Sequence, residues 1–278
     1  MQEIAPNVFI DNNSLGLVTG VIRTDAGSVL VDSPSRQDDA RSWRSGTAKL
    51  VLGEPKFLIN LDTNYDRILS AKGTECVIIT QANTVTVPRG KTTAAKNQDD
   101  GLSDTETHDQ QSSSPLRWNP PEIVVEDNLS IHLGGVQIDL EHHAGSNTAG
   151  IWVILPQQKV VFVGDTVLVD QAPFLAYANL AIWQEDLQLL SSRNYKGFQI
   201  VSSRSGVVSI EQVREMAKLI AFVSNMMETL IQNRSDLEGF NLLIPKIMKK
   251  IHVLPGSEDL CTNRLRWGLA TWYEQNQK

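Results

Sequence analysis

Residues 142–165, HHAGSNTAGIWVILPQQKVVFVGD, carry two apolar runs, "AGIWVILP" and "KVVFVGD", parted by Pro156-Gln157-Gln158. Runs of this length, rich in β-branched residues and closed by turn formers, predict two strands joined by a tight turn. The second strand ends in Gly164-Asp165, and the first is entered through an Ala-Gly-Ser-Asn turn in which Ser146 reads as a loop serine.

Outward from this hairpin, "EIVVED", "LSIHLGG" and "VQIDLEHH" precede it as three further strands, with Gly134-Gly135 as a hairpin turn. Upstream, "NVFI", "LGLVTGVIRT" and "GSVLVDSP" alternate as strands between turn residues, and "KFLINL" and "ECVIIT" are short apolar runs at β-α-β spacing. Residues 36–50 are polar with sparse apolar positions and predict a surface helix. Downstream the chain turns helical. Ser209 with Gln212 forms a capping box opening a helix at 210, with Val213, Met216, Leu219, Ile220, Val223, Met226, Met227 and Leu230 at helical spacing. Residues 257–275 predict another helix, with Trp267 and Trp272 as buried anchors. Residues 90–117 hold almost nothing that could enter a core and predict a disordered acidic and polar insertion, with His108 as a solvated loop histidine. The expected organisation is one α/β domain over 1–278, with 216–278 as a helical C-terminal extension.

The chain has 278 residues, 41% hydrophobic and 21% charged, with a net charge of −7. That balance argues against general nucleic-acid or anionic-membrane binding. The two cysteines, Cys76 and Cys261, form no CxxC or Cys/His cluster, which favours a reducing compartment. The N-terminus lacks the basic start and apolar run of a signal peptide, and no segment approaches the ~18 apolar residues of a membrane helix. A cytoplasmic protein is expected.

A second stretch raises the question of chemistry. In FLINLDTNYDRILS (57–70) an apolar run ends in Asp62, Asn64 and Asp66, spaced two apart, and Arg67 follows. Alternate side chains at a strand end enter one space, as metal ligands do. Yet the stretch has no His or Cys, so it reads as a metal site, a degraded one or an ordinary turn.

In their order along the chain, these segments resemble the metallo-β-lactamase superfamily, over roughly residues 3–215. "GSVLVDSP" resembles the family's early strand ending in a structural Asp, here Asp32; "FLINLDTNYDR" falls where the family carries H-x-H-x-D-H. "HHAGSNTAGIWVILPQQKVVFVGD" resembles the stretch with the next metal-binding His and the bridging Asp, and "IVSSRSGVVSIEQV" that with Gly-His-Gly. The resemblance implies a four-layer αββα sandwich with extra C-terminal helices. Its ligand positions fall on Asp62 and Asn64 for the two leading histidines, Asp66 for the Asp and Arg67 for the last His. The remaining positions are Ser146 for the second-motif His, Asp165 for the bridging Asp and Arg204 for the final His. Every histidine is replaced and the two aspartates are kept. His142 and His143 lie four and three residues ahead of Ser146, and the strands after it align without a gap.

The resemblance thus implies a vestigial metal-site pocket of Asp62, Asn64, Asp66, Arg67, Ser146, Asp165 and Arg204, without zinc or another cofactor. Oxygen donors beside two guanidiniums disfavour family-type zinc binding. The expectation is that Arg67 and Arg204 pair with Asp66 and Asp165 in the space of an ion. The primary reading is an inactive homologue that binds a small anionic ligand, regulates or scaffolds. One alternative is a hydrolase using a divalent cation on Asp62, Asp66 and Asp165, since oxygen ligands suit hard cations and some relatives accept Asp for the leading His. Another is metal-free hydrolysis by Ser146 with His143. Phe174, Tyr177 and Trp183 are candidates for the pocket mouth or for the core.

Overall fold

A computed structural model describes residues 1–14, 16–34, 37–50, 54–64, 67, 76–86 and 120–276. The insertion expected at 90–117, with His108, lies outside the described residues. Two sheets face each other. The first has seven strands in sequence order: β1 (Gln2–Ala5), β2 (Val8–Ser14), β3 (Leu17–Thr24), β4 (Gly27–Val31), β5 (Phe57–Ile59), β6 (Val77–Gln81) and β7 (Ile123–Val125). Its first four strands are an antiparallel meander, and β4 to β7 run parallel. The second sheet has the order β13-β12-β11-β10-β9-β8, built from β8 (Asn128–Leu133), β9 (Val136–His142), β10 (Ile151–Leu155), β11 (Val160–Phe162), β12 (Gln199–Ser202) and β13 (Gly206–Val208). Only β11 and β12 are parallel there. The β8–β9 turn uses Gly134 and Gly135 at φ 51° and 79°, the left-handed pair a two-residue hairpin needs.

The period of two explains the layers. On β10, Ile151, Val153 and Leu155 enter the core between the sheets, while Trp152 and Ile154 face a helical layer. On β2, Val8 and Ile10 join the inter-sheet core and Phe9 packs with Trp43 of α1 (Gln37–Ala48) on the opposite face. The helical layer over the second sheet comprises α2 (Leu180–Leu190), α3 (Ile210–Gln232), α4 (Leu237–Asn241), α5 (Ile244–Met248) and α6 (Glu258–Asn276). Helix α3 opens on the expected Ser209–Gln212 capping box. A single cluster joins Trp152 and Val161 of the sheet to Leu265 and Leu269 of α6. The result is the four-layer αββα sandwich with added C-terminal helices.

Three details depart from the sequence reading. Gln2–Ala5 forms an edge strand. Trp267 and Trp272 are half-buried, packed on Phe174 and Phe240 respectively. Trp183 is 1% exposed in the helical core, with its indole N–H donating to the Thr166 carbonyl at 2.8 Å, so it lines no mouth.

An arginine–aspartate centre at the ends of the parallel strands

Asp32 follows β4, Asp62 lies three residues beyond β5, Asp165 three beyond β11 and Arg204 two beyond β12. All four sit past the carboxyl ends of parallel strands, where open α/β sheets leave a crevice. Two backbone bonds stitch the sheets together at this edge, Val18 N–H to the Ser203 carbonyl at 2.7 Å and Ile151 N–H to the Leu61 carbonyl at 2.8 Å, and a third, Ser203 N–H to the Gly164 carbonyl at 2.9 Å, joins the ends of β12 and β11. Asp32 holds a left-handed backbone, φ 53°, which Asp tolerates better than most side chains. Its carboxylate accepts the Leu61 N–H at 2.9 Å and the Ser203 hydroxyl at 3.2 Å, linking both sheets.

Arg67 is completely buried in the middle of this edge. One end of its fork, Nη1, bonds Asp62 Oδ2, and Nη2 donates to Asp165 Oδ1 at 2.5 Å. Its Nε lies 3.3 Å from Asp32 Oδ2. A planar guanidinium with five N–H donors can serve three carboxylates in this way, and an ammonium cannot. Arg204 Nε donates to Asp165 Oδ2 at 3.1 Å, and its Nη1 donates to the Gly16 carbonyl at 2.9 Å. The Asn64 side-chain amide donates to Asp62 Oδ2 and Asp165 Oδ2, each at 3.1 Å. From α6, Arg264 brings Nη2 to 3.6 Å from Asp165 Oδ2 and lays its guanidinium over Phe174, 5.4 Å from the ring centre. Burial would raise the Asp165 carboxyl, but Arg204, Arg67 and Arg264 together hold it well below the usual carboxylate range. Asp32, Asp62 and Asp165 thus meet Arg67, Arg204 and Arg264, three charges of each sign.

The structure brings together Asp62, Asn64, Arg67, Asp165 and Arg204 of the expected set. Ser146 is half-buried on the neighbouring loop, where Asn147 accepts from the Thr63 hydroxyl at 3.1 Å; among the described residues Ser146 makes no hydrogen bond to the cluster. Asp66 lies outside the described residues, so the expected Arg67–Asp66 pair does too, and Arg67 takes Asp62, Asp165 and Asp32. Asp32 and Arg264 enter the centre unforeseen. The rule that a carboxylate at a strand end marks the crevice could have found Asp32. Arg264 had no local signal, being about a hundred residues from its partner in an ordinary helix.

The zinc that the fold implies does not fit this donor set. The carboxylate oxygens that would ligate it receive N–H donors from Arg67, Arg204 and Asn64, no imidazole among the described residues reaches them, and three guanidiniums surround the position. Among the described residues no group of three His, Cys, Asp or Glu side chains is arranged to hold a metal ion.

A family model, that of the metallo-β-lactamase superfamily, matches residues 78–203. The span includes Ser146 and Asp165; it begins after the Asp62–Arg67 stretch and stops one residue before Arg204. Among solved structures, the chain superposes on the stereoselective inverting sec-alkylsulfatase Pisa1 from Pseudomonas sp. with a TM-score of 0.70 at 13% identity, over 99% of this chain and 50% of that one. It matches a metallo-β-lactamase family protein from Thermus thermophilus with a TM-score of 0.61 at 16% identity, over 96% and 93% of the two chains. A metallo-β-lactamase superfamily protein from Sulfolobus tokodaii gives 0.63 at 12% identity, over 96% and 98%. The chain therefore spans about half the length of the sulfatase. No curated protein matches it by sequence. No helix among the described residues is long and apolar enough to cross a membrane. The chain thus has the two-sheet metallo-β-lactamase fold, and its residues 78–203 match the superfamily's model.

Proposed function

We propose that this chain is a catalytically inactive member of its superfamily, whose vestigial metal-site pocket has become a metal-free ion-pair centre. It serves as a ligand-binding, regulatory or scaffolding protein in the cytoplasm, with no nucleic-acid partner. The observation that carries this reading is the fork of Arg67, buried and shared among Asp62, Asp165 and Asp32. A fixed positive charge takes up the carboxylates that a metal would otherwise neutralise, and a dication entering beside it would be repelled. If the centre has a ligand of its own, it is a small anion recognised by Arg204 and Arg264, which share one carboxylate, Asp165. A net charge of −7 supports the exclusion of nucleic acid.

Elemental analysis of protein purified without chelator, with thermal unfolding in zinc, manganese, magnesium and EDTA, tests the reading. A metal that binds only the folded state raises the melting temperature. The expected result is no stoichiometric metal and one melting temperature in all four conditions. Stoichiometric metal, or a rise with manganese or magnesium, would return Asp62, Asp66 and Asp165 to the role of cation ligands in a working hydrolase.

A further inference from the structure

A second buried ionic group lies on the helical side of the second sheet and takes no part in the arginine centre. His143, just past β9, has 10% of its side chain exposed and stacks on Trp152 of β10, ring centres 3.6 Å apart and 14° from parallel. Its Nδ1 lies 2.7 Å from Asp186 Oδ1 of α2, and its Nε2 lies 3.5 Å from Glu141 Oε2 of β9. The ring thus has a buried carboxylate hydrogen-bonded at Nδ1 and a second carboxylate, 42% exposed, in looser ion-pair range of Nε2, an arrangement that favours the doubly protonated, charged form. Asp186 is 5% exposed. A buried carboxylate of this kind is costly unless its partner is cationic. The other titratable group at this site is Tyr195, which meets Trp152 edge-on at 5.8 Å. Its hydroxyl is pushed up by burial and by Glu141 and Asp186, so it stays neutral.

The approach depends on Gly145. A Cβ there would stand 2.4 Å from Asp186 Oδ2 and 2.5 Å from the Trp183 Cα, so any side chain would force α2 away from the loop. The loop is also tied to α2 through the Asn179 N–H on the Gly145 carbonyl at 2.9 Å, and closed by the His143 N–H on the Gly150 carbonyl at 2.9 Å. It reaches the arginine centre by two short routes. Asn147 holds Thr63, between Asp62 and Asn64. Trp152, under the imidazole, donates to the Thr166 hydroxyl at 3.2 Å, next to Asp165.

We propose that His143 is a proton-operated clamp: its charged ring pins the loop 143–150 to helix α2, and loss of the proton loosens that loop beside the arginine centre. When the ring is neutral, Asp186 keeps one hydrogen bond but loses its countercharge, and Glu141 loses its partner. Burial would lower the His143 ring, but Asp186 and Glu141 raise it above its ordinary 6.5. A group whose folded value is raised contributes stability that is full below the unfolded value and lost as pH rises through the folded one. The clamp therefore opens on the alkaline side of about pH 6.5.

Proton NMR titration of the full chain tests this, with the His143 ring resonance assigned through His143→Gln. The expected midpoint lies above 6.5, and Asp186→Asn moves it down. The melting temperature of the wild type should fall from about pH 6.5 upward, and that fall should be missing in His143→Gln. Amide exchange at His143, Gly150 and Asn179 should accelerate through the same midpoint, beyond the intrinsic rise with pH. A ring that titrates at or below 6.5, or the same thermal slope in wild type and His143→Gln, overturns the proposal. If the variants do not fold, the wild-type ring titration and amide exchange decide it alone.

Discussion

The arginine centre and the His143–Asp186 pair are both buried ionic groups, one past the strand ends of both sheets and one on the helical face of the second. They differ in the cation. Guanidinium keeps its proton at any pH a protein survives, so Arg67, Arg204 and Arg264 act as permanent counterions and only the aspartates can titrate. Imidazole changes charge near neutrality, so the pair on α2 is conditional. The first group can replace a fixed ion. The second can only respond.

The largest expected effect comes from cutting the permanent group at its middle. Arg67→Ala leaves three carboxylates short of a buried charge and should cost ~3–5 kcal/mol, read as a shift of the urea midpoint. Arg67→Lys keeps the charge and loses the fork, and should still cost ~1.5–3 kcal/mol through the hydrogen bonds it cannot make. A loss under ~1 kcal/mol in Arg67→Ala would mean the three contacts carry no net stability.

Next in size is the acid limb. The folded value of Asp165 is depressed, so its contribution is present above the ordinary 3.8 and lost as pH falls towards the folded value. Acid unfolding followed by circular dichroism should show a steep loss of stability below about pH 4, softened in Asp165→Asn. That loss and the alkaline loss expected for His143 bracket the fold from opposite sides. A variant that removes one should leave the other in place, because among the described residues the two groups share no ion pair and are joined at one remove, through Thr63 and Thr166.

The smallest effect belongs to Arg264, whose ion pair with Asp165 is 3.6 Å long and whose guanidinium also rests on Phe174. Arg264→Met keeps the apolar contact and should cost about 1 kcal/mol, again read from the urea midpoint. A cost as large as that of Arg67→Ala would show that the centre needs all three cations.

The strands were legible because each side of the sandwich obeys the period of two over long enough runs. β10 alone, with Ile151, Val153 and Leu155 on one face and Trp152 and Ile154 on the other, declares a buried sheet with a layer on each side. Gln2–Ala5 escaped because its residues are exposed or half-buried and carry no alternation to read. Within the centre, Asp62, Asn64, Arg67, Asp165 and Arg204 could be grouped from their places after strands. Their partners could not be assigned, since a long, flexible arginine side chain can reach several carboxylates and the choice depends on the spacing of two sheets. His143 was visible as a neighbour of Ser146 and a candidate base for it, but not as an ion-pair partner, because Asp186, which orients it, lies on a helix 43 residues away.

By itself the sequence determined the layers, the hairpins, the helix cap at Ser209 and the absence of imidazole from the positions where the superfamily's ligands fall. These rest on periodicity, turn chemistry and residue type, all of which act over a few neighbours. Tertiary structure alone decided that Arg67 faces Asp62, Asp165 and Asp32 together, that Arg264 reaches across from α6, and that His143 sits between two carboxylates. Those are distances between segments far apart in the chain, and ionic energies inside a protein depend on distance and burial before they depend on identity.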